Sequence, residues 1–143
     1  MQPSMKTFLL AIILSLIHAA TMAQGELTIT IRNIRKIKGS MLVGLFDNET
    51  AFPKVPIIGK VISVTADSLT ITFNDLSAGT YAISVVHDEN NNGKLDTNFL
   101  GIPKEGFAFG NNAMGTFGPP SFKNAQISII KNPVKQILLL KYL

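Results

Sequence analysis

The sequence predicts an all-β protein: an antiparallel β-sandwich of about seven strands with one long ordered loop. Three observations carry that expectation. From residue 24 onwards apolar residues recur at a period of about two rather than 3.6. Clusters of Gly, Asn, Asp and Pro separate the apolar runs at short intervals. No long helical pattern follows the first apolar segment, and short strands of this kind bury their apolar faces by packing as two layers.

Residues 1–23 read as an export signal. Lys6 supplies the positive start, Phe8 to Ile17 is apolar apart from Ser15, and Thr21-Met22-Ala23 puts small residues at the −3 and −1 positions. Cleavage is therefore expected before Gln24. The apolar run is roughly half the ~20 residues that a bilayer-crossing helix needs, which weakens the alternative of a retained anchor. No cysteine follows it to carry a lipid. Residues 24–143 are expected to form a single sandwich domain in the periplasm, on the cell surface or outside the cell, with no membrane span after signal removal.

Leu27, Ile29 and Ile31 alternate with Thr28, Thr30 and Arg32, which predicts a half-buried first strand. A polar turn closing at Gly39 leads to a second strand over Ser40 to Phe46. Asp47 to Pro56 is a loop with room for one helical turn, and Phe52 is its expected plug into the core. Lys60 to Thr65 and a run with Leu69, Ile71 and Phe73 on its inner face give the third and fourth strands. After Asn74 to Gly79, rich in turn residues, the fifth strand runs from Thr80 to His87. The last two strands fall near Ala125 to Ile130 and Val134 to Tyr142. Leu138-Leu139-Leu140 breaks the alternation and so predicts a strand end covered on both sides.

Phe73-x-x-Leu76-x-x-Gly79-x-Tyr81 resembles the corner of prealbumin-like and immunoglobulin-like domains, where a tyrosine begins a strand. Two readings stay open for Tyr81: a hydroxyl that ties the corner, or an ordinary half-buried tyrosine. Thr97 to Phe122 carries no recognisable strand or helix. Loops of this length in a compact domain are functional or disordered, and five phenylalanines argue for order. The expectation is a loop folded over the sandwich, with Phe99, Phe107, Phe109, Phe117 and Phe122 as its own core.

Composition narrows function more than it defines it. The formal charge is +4, and the basic residues are dispersed except for Arg32, Arg35, Lys36 and Lys38 in one probable-turn segment. Without interleaved aromatics this reads as a solvated turn, so no nucleic acid is expected as partner. The absence of cysteine excludes disulfides, thiol chemistry and zinc–thiolate sites.

The most informative segment is His87 to Asp96. Asp88, Asn90 and Asn92 place oxygen-bearing side chains at alternate positions, Gly93 follows, and Asp96 adds a carboxylate. This is the front half of the calcium loop D-x-[DN]-x-[DN]-G. Alternate residues of a tight turn aim oxygens at one point, and glycine permits the sharp bend. The expected ligands are Asp88, Asn90, Asn92, the backbone carbonyl of Lys94, and Asp96. Phe99 stands where the bidentate glutamate of such loops belongs, so affinity is expected to be weak, about 10⁻⁴ to 10⁻³ M. The alternative is a turn whose Asn and Asp side chains bond their own backbone, with no ion.

Residues 87–122, HDENNNGKLDTNFLGIPKEGFAFGNNAMGTFGPPSF, resemble the bacterial family called domain of unknown function 2141. The likeness extends to Val43-Gly44-Leu45-Phe46-Asp47, Ala51-Phe52-Pro53 and Leu76-x-x-Gly79-x-Tyr81-Ala82. It implies an exported single-domain bacterial protein with a sandwich-type fold, and no particular activity.

No G-x-S-x-G, H-E-x-x-H or phosphate-gripping glycine loop is present. The expectation is a calcium-stabilised binding or accessory module of the cell envelope whose long loop meets a protein or a glycan. One alternative is a hydrolase-type enzyme using His87 with Asp96 or Glu105; another is a ligand-free structural envelope protein. Convergence of His87 with those carboxylates is the observation that separates the enzyme from the other two.

Overall fold

A computed structural model describes residues 24–143. The proposed signal, residues 1–23, lies outside the described residues. Eight strands follow in order: β1 (Gln24–Arg32), β2 (Ser40–Phe46), β3 (Ile58–Ser63), β4 (Leu69–Ser77), β5 (Gly79–Asp88), β6 (Gly106–Phe109), β7 (Gln126–Ile129) and β8 (Val134–Leu139). They form two sheets. The smaller has the order β4-β1-β8; the larger has β3-β2-β5-β6, with β7 also pairing β5. All pairings are antiparallel except β1 with β8. The molecule is thus an all-β sandwich.

The period-two pattern explains the packing. Leu27, Ile29 and Ile31 of β1 and Ile71 and Phe73 of β4 face Met41, Val43 and Leu45 of β2 and Ile83 and Val85 of β5. Every one of these is at most 5 % exposed. On β1 and β4 the outward partners are threonines, and Thr28–Thr72 and Thr30–Thr70 pair across the surface. Tyr81 donates its hydroxyl to the Ser77 carbonyl at 3.0 Å, so it ties the β4–β5 corner.

Three sequence expectations need correction. Thr97 to Phe122 is not without strands: Gly106–Phe109 is β6, paired with Ser84 to His87 of β5, and all four of its residues are buried. A four-residue strand covered on both faces shows no alternation, so it left no periodic signal. The phenylalanines do not form one loop core either. Phe107 and Phe109 are buried, whereas Phe99 and Phe117 are almost wholly exposed. Finally, Leu138-Leu139-Leu140 is covered on one side only: Leu138 and Leu140 are fully buried and Leu139 is 45 % exposed.

β6 and β7 lie end to end along one edge of β5, pairing with Ser84–His87 and Gly79–Ala82 respectively. Between them the chain makes an excursion through a 3-10 turn (Gly110–Asn112) and one helical turn, α1 (Phe122–Ala125), capped by the Ser121 hydroxyl. Gly110 is required where the two ends pass, because a β-carbon there would overlap the Ala125 carbonyl. Phe52 packs as a plug, but on the outer face of the larger sheet. Its ring stands edge-on to Phe46, Phe109 and Phe122, with centroids 5.2, 5.8 and 6.1 Å away. That second cluster is separate from the inter-sheet core.

Candidate metal loop and the groove beside it

β5 ends at Asp88, and alternation turns His87 and Asp88 to opposite sides. His87 is fully buried. Its Nε2 lies 2.9 Å from the Lys38 carbonyl, and its Nδ1 lies 2.8 Å from the Tyr142 hydroxyl. A carbonyl only accepts, so Nε2 carries the proton and Nδ1 receives the tyrosine O–H. Arg35 donates its backbone N–H to the same tyrosine oxygen at 3.2 Å. A general-base role for His87 would need Asp96 or Glu105 as its partner. Both ring nitrogens are instead bonded to other groups.

Asp88 is 1 % exposed and faces the loop. Its Oδ1 accepts the N–H of Asn92 at 3.0 Å, and its Oδ2 accepts that of Gly93 at 2.7 Å. Asn91 and Gly93 take positive φ values of 58° and 81°, which wrap the chain around the carboxylate. Asn90 Oδ1 accepts the Asn92 N–H and Asn92 Oδ1 accepts the Lys94 N–H, each at 3.1 Å. These are successive Asx turns. The two side-chain amides donate to Asp96, from Asn90 to Oδ2 at 2.7 Å and from Asn92 to Oδ1 at 2.9 Å. Those bonds, the Asn92 one first, hold the Asp96 carboxyl below its ordinary range.

Four of the five expected ligands therefore converge through their side chains: Asp88, Asn90, Asn92 and Asp96. Lys94 joins through its backbone N–H, which donates to Asn92 Oδ1, and not through the expected carbonyl; its side chain is exposed. Among the described residues no three His, Cys, Asp or Glu side chains gather as metal ligands. The oxygens at hand come from two carboxylates, two amides and backbone, a hard set suited to calcium rather than zinc.

Glu105 is 5 % exposed and locks the base of the loop. Its Oε1 accepts the Glu89 N–H at 2.8 Å and its Oε2 accepts the Asp96 N–H at 2.9 Å. Beyond it, Asp96 to Lys104 runs as a narrow hairpin. Lys104 N–H bonds the Asp96 carbonyl, Thr97 bridges Pro103, and Asn98 caps the tip. Glu89 receives Lys36 and Lys38 at 2.9 and 3.5 Å. Burial pushes its carboxyl upward, but the bond and charge of Lys36 outweigh that and leave it lowered.

The hairpin and the Met114 to Pro119 segment wall a trough of about 1040 Å³ over the outer face of the larger sheet. Its floor is readable from the register. Val61, Leu42, Val86 and Phe107 form one row across four strands; Gly59, Gly44, Ser84 and Phe109 form the next. The two glycines and Ser84 deepen the second row. Leu100, Ile102, Met114 and Phe117 stand on the walls. No sequence expectation reached this groove. The signal was present, because Met41 to Phe46 is apolar at outward as well as inward positions.

A family model described as "Uncharacterized protein conserved in bacteria (DUF2141)" matches residues 29–137. The chain belongs to this family. The DUF2141 region reaches from β1 into β8 and contains both the Asp88 loop and the groove. No curated protein and no solved structure matches the chain. Among the described residues no helix is long and apolar enough to cross a membrane.

Proposed function

We propose that this is an exported accessory module of the bacterial envelope that binds a ligand in the trough, with calcium in the Asp88–Asp96 loop to stiffen its wall. One observation carries the reading: the wall of an open apolar groove springs from a turn in which four oxygen-bearing side chains meet. Large apolar pockets with few polar groups are the default binding sites of small domains. The export-type start of the sequence supports a place outside the cytoplasm.

Asp88, Asn90, Asn92 and Asp96, with the Lys94 carbonyl, would hold the ion. Calcium would supply a hard divalent charge that draws the loop's oxygens together. The amides of Asn90 and Asn92 must first turn so that oxygen replaces NH₂ towards Asp96. That rearrangement breaks the two bonds to Asp96 and the two Asx-turn bonds from the Asn92 and Lys94 N–H groups, and is one reason to expect weak binding. At free calcium about tenfold above the dissociation constant, the gain is about 1.4 kcal/mol. For a domain of this size that raises the melting temperature by about 5 °C.

Calorimetry in millimolar calcium and in chelator tests the ion. The wild type should melt higher in calcium, Asp96→Asn should show no calcium response, and magnesium should give a smaller shift. Equal melting temperatures for the wild type in calcium and chelator would remove the ion from the account. A second reading has its own observation: each carboxylate oxygen of Asp88, Asp96 and Glu105 already accepts an N–H, so the loop closes on itself. Under that reading the groove remains and its wall is held by hydrogen bonds alone.

A further inference from the structure

The groove's lining is chemically one-sided. Its floor offers valine, leucine and phenylalanine, and its walls add leucine, isoleucine, methionine and phenylalanine. Ser84, Thr97 and Thr116 are the hydroxyl-bearing residues in the lining. Among the described residues no aspartate or glutamate lines it, while Lys54, Lys60 and Lys94 do. A glycan needs a dense set of hydrogen-bonding side chains, which this surface does not offer. A ligand apolar along its length with one negative end fits both features.

The three lysines are not equivalent. Lys60 gives its ammonium to the Thr72 carbonyl and lies over the Phe73 ring, at the edge of the sandwich. Lys94 is close enough to Asp96 for its charge to favour that carboxylate. Lys54 is exposed and forms no ion pair among the described residues. It follows β2 beyond Phe46, at the end of the groove away from the Asp88 loop.

We propose that the trough binds a fatty acid, with its chain along the floor formed by Leu42, Val61 and Val86 and its carboxylate at Lys54. Chain burial supplies the affinity, about fourfold per buried methylene. The lysine selects the charged head. This rests on the binding-module reading above and names its ligand class.

Displacement of a fluorescent fatty acid by laurate or dodecanol, both below their micellar concentrations, tests it on the full mature chain. Laurate should compete saturably and about tenfold better than dodecanol, a difference of about 1.4 kcal/mol. Lys54→Glu should abolish that preference, and Lys135→Glu, at an exposed β8 position outside the lining, should leave it. Val61→Glu, at a side chain 71 % exposed and so unimportant for folding, should weaken both ligands by about tenfold or more. No displacement by laurate overturns the proposal. So does equal affinity for laurate and dodecanol, or indifference to Val61→Glu. A protein that melts higher in calcium yet ignores laurate refutes the ligand class and leaves the calcium reading standing.

Discussion

Tyr142 shows how much one side chain near the end of the chain holds together. Its hydroxyl donates to His87, accepts from the Arg35 backbone, and its ring carries the Arg35 guanidinium 4.6 Å from the centroid. Gly106 is obligatory beneath it, since a β-carbon there would run into the tyrosine ring. Tyr142→Phe keeps the ring and strips the hydroxyl, leaving a buried imidazole nitrogen without its donor. The expected cost is about 1–3 kcal/mol in urea unfolding, with an unchanged m-value. Glu105→Gln should cost about 1.5–3 kcal/mol, because a neutral amide oxygen cannot replace the carboxylate that takes two backbone N–H groups. Neither role was legible in the sequence. His87 could be placed on the inner face by alternation, but its partners lie 49 and 55 residues away. Glu105 read only as a carboxylate partner for His87 in the enzyme alternative, and the folded chain instead shows it bonding backbone.

Among elements, the Asp88–Asp96 loop was the most legible, because its spacing and its glycine are local facts. The convergence of Asp88, Asn90, Asn92 and Asp96 follows from four positions in one tight turn. The direction of their hydrogen bonds does not, since the same motif serves a cation or its own amides. The loop has a pH signature. Asp96 and Glu89 are both held below their ordinary range. Their contribution to stability is therefore fully present above about pH 5 and is lost as pH falls through the lowered values. The acid limb of a stability–pH curve should be shallower in Asp96→Asn than in the wild type, and 1 M salt should weaken the Lys36–Glu89 share. β6 was the least legible element. Its four buried residues sit between glycines in a segment rich in turn signals, and its strand character comes from β5 alone. A comparable device protects the edge of β8. The Asn112 side chain donates to the Ile137 carbonyl and accepts the Leu139 N–H, as a neighbouring strand would. Asn112→Ala should expose that edge, and light scattering at raised concentration should then report association.

At the scale of the whole molecule, the sandwich was readable because alternation, turn chemistry and the lack of long helices agree. Strand number fell one short because of β6, and the parallel β1–β8 pairing had no signal at all. Which strands become neighbours is decided by long-range burial, not by local pattern. The groove was missed for the same reason. Leu42, Val61, Val86 and Phe107 are scattered over the sequence and become one row only through the register of four strands.

That β1–β8 pairing sets a schedule for folding. Leu27 to Arg32 leaves the ribosome well before its neighbour, Val134 to Leu139. Until then the smaller sheet consists of β1 and β4 alone, with one flank of β1 open and Leu138 and Leu140 missing from the core. A nascent chain stopped before residue 134 should therefore stay unfolded, and contacts this distant in sequence make closure slow. A polypeptide that must wait for so distant a strand remains an open thread until that strand arrives.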